Sequence, residues 1–427
     1  MSGIQQMFLS MLSSTGKYFI GTLGGASTDV ATAVTNDASG NCFVCGWSQI
    51  GASAYLEIAK YNSSGNIQWQ TKIGSVIGAY GTSIKVDSSG NIYVTGVSSS
   101  VGTNDFYIAK LNSLGVIQWQ NRLGNAGADD QAFSVAIDSS LNVYVCGSVV
   151  IDTQPELLLV KYDSSGTLQW QTRLRSASLT VQGREVVIDA SNYIYVAGFS
   201  DDPFRQVYVI AKYDSSGAIQ WQQYYYDIST AMAYSLTLDS SGNIYVVGKY
   251  NYTYQYFQIT KLDSSGVIQW QKKLGSSIGA GSSYSIAIDS LNNLYVVGTW
   301  TYNSSIQIIK YNSSGVIQWQ RQLSSSGQEE GNSISVNDSD IFICGTTDVS
   351  GNINFLFAKL KTDGSLTGTY TVGAYNFTYS TSSLTDSNST LTASTGSYTS
   401  QSGSFTNSSD SQVASSSSLT SSVTIIS

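Results

Sequence analysis

The phrase Ile67-Gln68-Trp69-Gln70 recurs at intervals of about 50 residues along this chain, and this recurrence decides the fold. The later copies lie at residues 117–120, 168–171, 219–222, 268–271 and 317–320. A fixed period of this size is the signature of a repeat architecture. Residues shared by all copies are therefore expected to build the scaffold. Residues that differ between copies are where a specific activity is expected.

Each copy contains four short runs typical of β-strands, which we call strands A to D. In the sixth copy they cover residues 284–288, 293–298, 306–310 and 316–320. Strands A and B are joined by a tight turn of the type Asp-Ser-Ser-Gly-Asn, and a similar turn joins C to D. The link from D to the next A is longer and variable. Short strands at regular spacing between turn signals predict an all-β fold.

The number of copies predicts a seven-bladed β-propeller of four-stranded blades over residues 17–370, because radial closure leaves few exposed sheet edges. Residues 17–23 and 365–370 both qualify as the strand that completes blade seven. We predict that 17–23 fills this place and that 365–370 is the competing closure. The count rests on a recurring strand B glycine and a recurring strand C lysine: Gly46, Gly96, Gly147, Gly198, Gly248, Gly298, Gly345, Lys60, Lys110, Lys161, Lys212, Lys261, Lys310 and Lys359.

The repeat resembles the SBBP-type β-propeller family. The likeness is carried by residues 86–96, Val-Asp-Ser-Ser-Gly-Asn-Ile-Tyr-Val-Thr-Gly, and by residues 137–147. It extends over roughly residues 17–370. The resemblance implies the propeller fold and says little about activity, because one fold serves many functions.

Composition narrows the function. The chain holds 20 Lys and Arg against 28 Asp and Glu, which argues against nucleic-acid binding. No apolar run reaches membrane-spanning length, and residues 1–17 lack the pattern of a secretion signal. Histidine is absent, which removes the commonest catalytic base and the commonest zinc ligand. We therefore expect no catalytic residues, no metal site and no cofactor.

The recurring residues are interpreted as structural. We expect the strand D tryptophans and the strand B aromatics to pack between blades, and the strand C lysines to form a ring with Asp or backbone carbonyls. The four cysteines, Cys42, Cys45, Cys146 and Cys344, are predicted to be core residues without disulfides. The Asp of each turn is explained by turn chemistry, since a calcium loop needs more carboxylates.

The B–C and D–A loops are predicted to lie on one variable face, where recognition is usual. Aromatic residues concentrate there in blades four to six, and we predict that they form a binding patch for sugars or proteins. Acidic pairs at Asp129-Asp130, Asp201-Asp202 and Glu329-Glu330 lie on scattered blades and do not suggest a catalytic pair. The aromatic candidates are Tyr224, Tyr225, Tyr226, Tyr250, Tyr252, Tyr254, Tyr256, Trp300 and Tyr302.

Residues 371–427 form a Ser/Thr-rich C-terminal arm without Lys or Arg. Apolar residues recur in it at a seven-residue step: Phe377, Leu384, Leu391, Tyr398, Phe405, Leu419 and Ile426, with Gln412 as the break. One apolar residue per seven and a wealth of Thr argue against a coiled coil. We interpret the arm as an extended β-type stalk, or as an assembly arm that packs on other subunits. A flexible linker is the alternative.

Residues 1–16 form a leader or attachment segment, and its first ten residues resemble the leaders of marine phage virion and tail-fibre-type structural proteins. We therefore predict a non-enzymatic phage virion protein, made in the host cytoplasm and displayed on a capsid or tail. Its expected partners are other virion proteins, through either terminal segment, and a host surface glycan; nucleic acid and membrane insertion are not expected. The alternative is a cellular extracellular adhesin or filament component.

Overall fold

The computed structural model describes residues 18–25, 27–74, 78–100, 103–124, 127–176, 179–202, 205–226, 230–251, 255–275, 281–300, 304–349, 351–388, 392–395, 399–402, 406–409, 414–416 and 420–426. Every regular element in these ranges is a β-strand. The first 28 are β1 Tyr18–Gly24, β2 Asp29–Asn36, β3 Cys42–Ile50, β4 Ser53–Tyr61, β5 Ile67–Ile73, β6 Ala79–Val86, β7 Ile92–Ser100, β8 Thr103–Leu111, β9 Ile117–Gly124, β10 Gln131–Ile137, β11 Val143–Ile151, β12 Gln154–Tyr162, β13 Leu168–Arg175, β14 Val181–Ile188, β15 Ile194–Asp202, β16 Arg205–Tyr213, β17 Ile219–Tyr226, β18 Thr230–Leu238, β19 Ile244–Asn251, β20 Gln255–Leu262, β21 Ile268–Gly275, β22 Gly281–Ile288, β23 Leu294–Trp300, β24 Ser305–Tyr311, β25 Ile317–Ser324, β26 Gln328–Val336, β27 Asp340–Val349 and β28 Asn352–Lys361. The rest are β29 Gly368–Val372, β30 Tyr375–Thr381, β31 Thr385–Asn388, β32 Thr392–Thr395, β33 Thr399–Ser402, β34 Thr406–Ser409, β35 Ala414–Ser416 and β36 Thr420–Ile426.

These strands form the predicted seven-bladed β-propeller, with four antiparallel strands A to D in each blade. Blade one is β2–β5, and blades two to six follow in chain order up to β25. Blade seven contains β26, β27 and β28, and β1 completes it. The prediction that the N-terminal strand closes the ring is therefore confirmed. Phe19 lies opposite Lys359, where Trp319 lies opposite Lys310 in blade six, so Phe19 takes the place of the recurring tryptophan.

The seven A strands surround a central channel. The A–B and C–D turns lie at one end, which we call the uniform face, and the B–C and D–A loops lie at the other, the variable face. Each A strand starts at the variable face and runs towards the uniform face. Positions early in strand A are therefore near the variable mouth of the channel.

The A–B turns are held by their aspartate. In blade five, Asp239 Oδ1 accepts hydrogen bonds from the N–H groups of Ser241 and Asn243, and Oδ2 accepts from the Asn243 amide and the Tyr245 hydroxyl. These bonds hold the pKa of Asp239 below its ordinary value against the opposing effect of burial. Gly242 has a φ of +78° in this turn, and Leu141 has +64° at the equivalent place in blade three. The side chain of Leu141 gains nothing that we can identify from this strained conformation.

Neighbouring blades are joined by a repeated contact, which we call the blade clasp. Between blades three and four, Trp170 Nε1 donates to the Ser215 carbonyl at 3.2 Å, and Gly217 of the same turn lies against the indole ring. Lys161 Nζ donates to that carbonyl at 3.5 Å and lies 5.1 Å from the centre of the Tyr144 ring. Tryptophans 69, 119, 270 and 319 donate in the same way to the next blade.

The expected roles of the strand C lysines and the recurring aromatics are confirmed by the clasps. All seven lysines lie 4.9 to 5.4 Å from the ring of their strand B aromatic. A cation over an aromatic ring contributes about 0.5–2 kcal/mol, depending on its exposure to water. Among the described residues, Lys359 is the one strand C lysine that also forms an ion pair with an aspartate: its Nζ lies 3.4 Å from Asp340 Oδ2.

The C-terminal segment encircles the propeller, and we call residues 375–426 the belt. Its strands pair with the outermost strand of each blade in the reverse of the blade order, from β30 on blade six to β35 on blade one, and then β36 on β1 of blade seven. Strands β31, β32, β33 and β34 begin at residues 385, 392, 399 and 406. The seven-residue period is therefore one belt strand per blade.

The prediction of an extended β-type arm is confirmed, but its described strands pair with the blades of this chain, so a free-standing stalk and a flexible linker are both wrong for them. Each strand D has an outer edge of unpaired backbone groups, and the belt satisfies part of it within the same molecule. Phe377 and Ile426 are fully buried, and Leu384 packs against the core of blades five and six. The hairpin of β29 and β30 crosses the predicted boundary at residues 370/371.

Candidate functional site

The predicted aromatic patch separates into buried and half-buried residues. Tyr225, Tyr250 and Trp300 are buried in the blade cores, with exposed fractions of 1, 3 and 4%. The expectation that these three side chains are exposed is therefore wrong. Tyr224 and Tyr226 are half-buried on the opposite side of strand β17, with ring centres 5.9 Å apart. Alternation along a strand separates Tyr225 from its two neighbours.

Each buried aromatic has a structural task. In blade four, the Tyr225 hydroxyl donates to the Gly266 carbonyl at 2.7 Å and so joins the blade-five turn. Tyr250 pairs across the strands with Tyr256, since β19 and β20 extend through most of the predicted B–C loop. Trp300 packs edge-on against Phe257. Tyr252, Tyr254 and Tyr302 lie outside the described residues.

The acidic pairs stabilise loops. Asp130 is fully buried and accepts a hydrogen bond from the Val150 N–H at 2.9 Å. Asp201 accepts from the Thr180 hydroxyl at 2.6 Å. Glu329 is also buried, accepts from Ser325 and Thr347, and has a raised pKa because of its burial. These carboxylates belong to blades three, four and seven and do not form one site.

A different set of residues meets in the channel. Every A strand carries a β-bulge, at which its register with strand B shifts by one residue. The seven bulged side chains line one cavity of about 330 Å³ near the variable mouth. We call this set the channel ring. It comprises Thr32, Thr82, Phe133, Arg184, Tyr234, Tyr284 and Asn332.

On one side of the channel ring the side chains are small, and they donate hydrogen bonds to the backbone of adjacent blades. The Thr32 hydroxyl donates to the Gly81 carbonyl, the Thr82 hydroxyl to Ala132, and the Asn332 amide to Ala31, each at 2.8 Å. Each bond crosses to an adjacent blade. These three residues therefore close the inner wall of the propeller.

The other side of the ring carries Phe133, Arg184, Tyr234 and Tyr284. The Arg184 guanidinium lies 4.0 Å from the centre of the Phe133 ring and 5.1 Å from that of Phe199. The rings of Tyr234 and Tyr284 are 5.5 Å apart and tilted by 39°. Tyr284 keeps 37% of its surface exposed. Together they present aromatic faces and one cation to the channel mouth.

Arg184 lacks a full set of partners within the described residues. Its Nη2 donates to Gln182 Oε1 at 2.9 Å, while its buried Nε has no hydrogen-bond acceptor. It forms no ion pair with any described carboxylate. Burial lowers the pKa of the guanidinium, which reflects the cost of placing this charge away from water.

Glu185 follows Arg184 and lies deeper in the channel. Its carboxyl oxygens accept from the Ser134 hydroxyl at 2.6 Å and the Ser235 hydroxyl at 3.3 Å. Enclosure raises the pKa of Glu185, and the charge of Lys85, nearer the uniform face, opposes this shift. The charged side chains that line the channel are thus Lys85, Arg184 and Glu185.

Sequence reasoning missed the channel ring, although its own criterion pointed there. The bulged position differs in residue type between copies, whereas the residues around it recur. Recognition was expected in the variable loops, and strand A was expected to be regular. A bulge is not visible as a break in the apolar alternation of so short a strand.

The four cysteines are buried free thiols, as expected of core residues, and burial raises the pKa of Cys42 and Cys45 to about 12. Within the described ranges, no group of three or more Cys, Asp or Glu residues is arranged to hold a metal ion. The described part of the chain contains no helix able to cross a membrane.

Comparison with protein families agrees with this architecture. The model of the outer membrane protein assembly factor BamB matches residues 205–417, and the β-propeller repeat model matches residues 68–102 and 118–148. The chain is thus a β-propeller repeat protein. No curated protein matches its sequence.

Solved structures share the fold at low sequence identity. The polysaccharide lyase Uly1 is 8% identical, with a TM-score of 0.50 over 79% of this chain and 91% of its own. An ulvan lyase is 10% identical, with a TM-score of 0.50 over 81% of this chain and 96% of its own. A protein of unknown function from Dyadobacter fermentans has a TM-score of 0.47 at 8% identity, over 80% of this chain and 98% of its own. At these identities the likeness concerns the fold alone.

Proposed function

We propose that this chain is a non-enzymatic structural protein of a phage particle that displays a rigid binding propeller towards the host surface. The leader sequence supports the setting. The single observation that supports display best is the direction of β1. Tyr18 begins this strand at the uniform face, and Phe19 to Leu23 run from there towards the variable face.

The chain therefore enters the propeller through Tyr18, at the face away from the channel ring. Attachment through this segment leaves the variable face, with Arg184 and its aromatic neighbours, pointing outwards. The belt is occupied by the seven blades, so we propose that the leader, and not residues 371–427, contacts other virion proteins.

The non-enzymatic role is supported by what the polar groups already do. The buried carboxylates Asp130 and Glu329 are committed to loop hydrogen bonds. In blade five, burial and the neighbouring Asp239 raise the pKa of Tyr245, which disfavours formation of a phenolate base. A propeller whose scaffold is closed by clasps and a belt is suited to holding a recognition surface rigid.

The test is a cryo-EM reconstruction of particles purified from the source, combined with incorporation of two variants. We expect density for the propeller on a capsid or tail. Deletion of residues 1–16 should abolish incorporation while the melting temperature stays unchanged, and the control Arg184→Gln should be incorporated normally. Density on a cell envelope or filament would instead establish the adhesin alternative.

A further inference from the structure

The channel ring combines an incompletely partnered cation with aromatic faces. Arg184 has a buried Nε without an acceptor and no carboxylate within ion-pair distance among the described residues. An enclosed guanidinium is costly unless an anion compensates it. In this chain the Arg184 side chain lines the cavity, and no described carboxylate compensates its charge.

The shape of the cavity limits what can supply the anion. Its volume of about 330 Å³ is at the lower end of the range for ligand pockets. The Tyr234 and Tyr284 rings lie on one side and Phe133 on the other side of Arg184. Aromatic faces of this kind stack on the C–H faces of a sugar ring, and the arginine fork binds a carboxylate with two hydrogen bonds.

We propose that the channel ring binds one acidic sugar residue, with its carboxylate on Arg184 and its ring against Tyr234 and Tyr284. This proposal assigns acidic sugars as the ligand class of the recognition role proposed above. It rests on that role only in assuming that the variable face points outwards. The half-buried outer pair, Tyr224 and Tyr226, is not part of this site.

The polar surroundings fit one anion and not a cation. Lys85 lies farther down the same channel, and the Glu185 carboxyl is held by Ser134 and Ser235 away from the guanidinium. The hydroxyls of Thr32 and Thr82 are directed to backbone carbonyls. A bound carboxylate therefore meets a site whose only strong donor left open is Arg184, within the part of the channel described.

The experiment is a titration of the full chain with glucuronic acid, followed by calorimetry, with glucuronamide as the uncharged probe of the same shape. We expect glucuronic acid to bind at least tenfold more tightly than glucuronamide, since a charge-assisted bidentate contact is worth about 1.5–3 kcal/mol. Arg184→Gln should weaken glucuronic acid binding at least tenfold and leave glucuronamide unaffected. Tyr284→Ala should weaken both, and the control Tyr226→Ala should weaken neither.

Folding of each variant is checked by its melting temperature, and Arg184→Lys provides a second variant that keeps the charge but loses the fork. Equal binding of the two probes, or unchanged binding by Arg184→Gln, would overturn the proposal. Binding of a Glu-containing peptide without binding of glucuronic acid would overturn it as well. A uronate-terminated oligosaccharide that binds more tightly than free glucuronic acid would identify a glycan end as the natural source. These results do not depend on where the protein resides, so they stand apart from the particle reconstruction.

Discussion

The blade clasp and the channel ring both repeat around the propeller, yet they differ in how they are built. In five of the seven blades a tryptophan donates to a turn carbonyl of the next blade, and in four of these the strand C lysine donates to the same carbonyl. The channel ring uses five residue types at seven equivalent bulges. Similar blades in a closed ring are joined by similar contacts, so the clasp repeats. A small ligand in the channel contacts different parts of the ring with its different groups, so the ring residues can differ.

The clasp residues hold the blades together, whereas the residues on the open side of the channel ring are placed to contact a ligand. A clasp residue acts on two neighbouring blades, so its loss should destabilise the fold. A ring residue on the open side contacts little besides its neighbours in the channel, so its loss should leave the fold intact.

Removal of the belt examines whether the clasps alone hold the blades. A chain ending at residue 374 exposes the outer edge of every strand D, and Phe377 and Ile426 no longer fill the core. We expect the free energy of unfolding to fall by several kcal/mol and the protein to form oligomers through its edges. Chemical denaturation and size-exclusion chromatography measure the two effects. A monomer of unchanged stability would contradict a structural role for the belt.

Trp170→Ala breaks one clasp. It removes the indole from the Gly217 turn and the hydrogen bond to the Ser215 carbonyl, and we expect a loss of about 3 kcal/mol in the free energy of unfolding. Trp47→Ala is the matched control, because Trp47 stacks edge-on against Tyr80 and is not part of a clasp. Equal losses for the two variants would show that the clasp has no special weight.

Gly166→Ala examines how tightly a clasp is packed. A Cβ at this position would lie 2.6 Å from the Trp119 ring, and the backbone φ is +84°. Gly127 has a φ of +86° but nothing within 4 Å of the added atom. We expect Gly127→Ala to cost about 1 kcal/mol from backbone strain alone, and Gly166→Ala about 2 kcal/mol more. Equal melting temperatures would mean that the indole yields without cost.

Leu141→Gly removes a strain that occurs in one blade. Leu141 adopts a φ of +64°, where three other A–B turns have Gly40, Gly90 and Gly242 and two have Asn192 and Asn292. We expect a gain of about 1 kcal/mol in stability, since the left-handed conformation is costly for a branched residue. Leu114→Gly is the control, because Leu114 is 73% exposed in a C–D turn without a positive φ. A loss of stability in Leu141→Gly would show that the side chain has a contact of value.

Glu185→Gln examines the charge state of the channel. The raised pKa of Glu185 means that the folded protein favours the protonated form. Its contribution to stability is therefore complete below the ordinary pKa of about 4.5 and is lost as pH rises through the raised pKa. We expect the melting temperature of the wild type, relative to Glu185→Gln, to fall between pH 4.5 and neutrality. Glu330→Gln, at an exposed glutamate, should show no such trend.

Much of the fold could be predicted from the sequence because its causes are local and repeated. The turn aspartates and glycines fix the A–B and C–D hairpins, and the period fixes the number of blades. Closure by β1 was also predictable, since residues 17–23 stand at the usual distance before the first A strand. Phe19, in the position of a tryptophan, keeps the ring contact with the Gly65 turn at this joint but lacks the indole hydrogen bond.

The belt and the channel ring could not be predicted because their causes are distant in sequence. The seven-residue period was visible, but it matches the angular step between blades, which exists only once the ring has closed. At Arg184 and Tyr284, the bulge is a shift in the register of strand A against strand B. The type of residue at these positions does not predict such a shift. Tyr225 and Trp300 were misplaced because an aromatic near a strand end can point to either side.

The most direct test of the central claim compares Trp170→Ala and Arg184→Gln in the same two measurements, melting temperature and affinity for glucuronic acid. We predict that Trp170→Ala melts at a clearly lower temperature and, while folded, binds like the wild type. Arg184→Gln should melt at or slightly above the wild-type temperature and bind at least tenfold more weakly, a loss of about 1.4 kcal/mol or more. If Arg184→Gln lost as much stability as Trp170→Ala while retaining its affinity, the assignment of stability to the clasp and recognition to the channel ring would be contradicted.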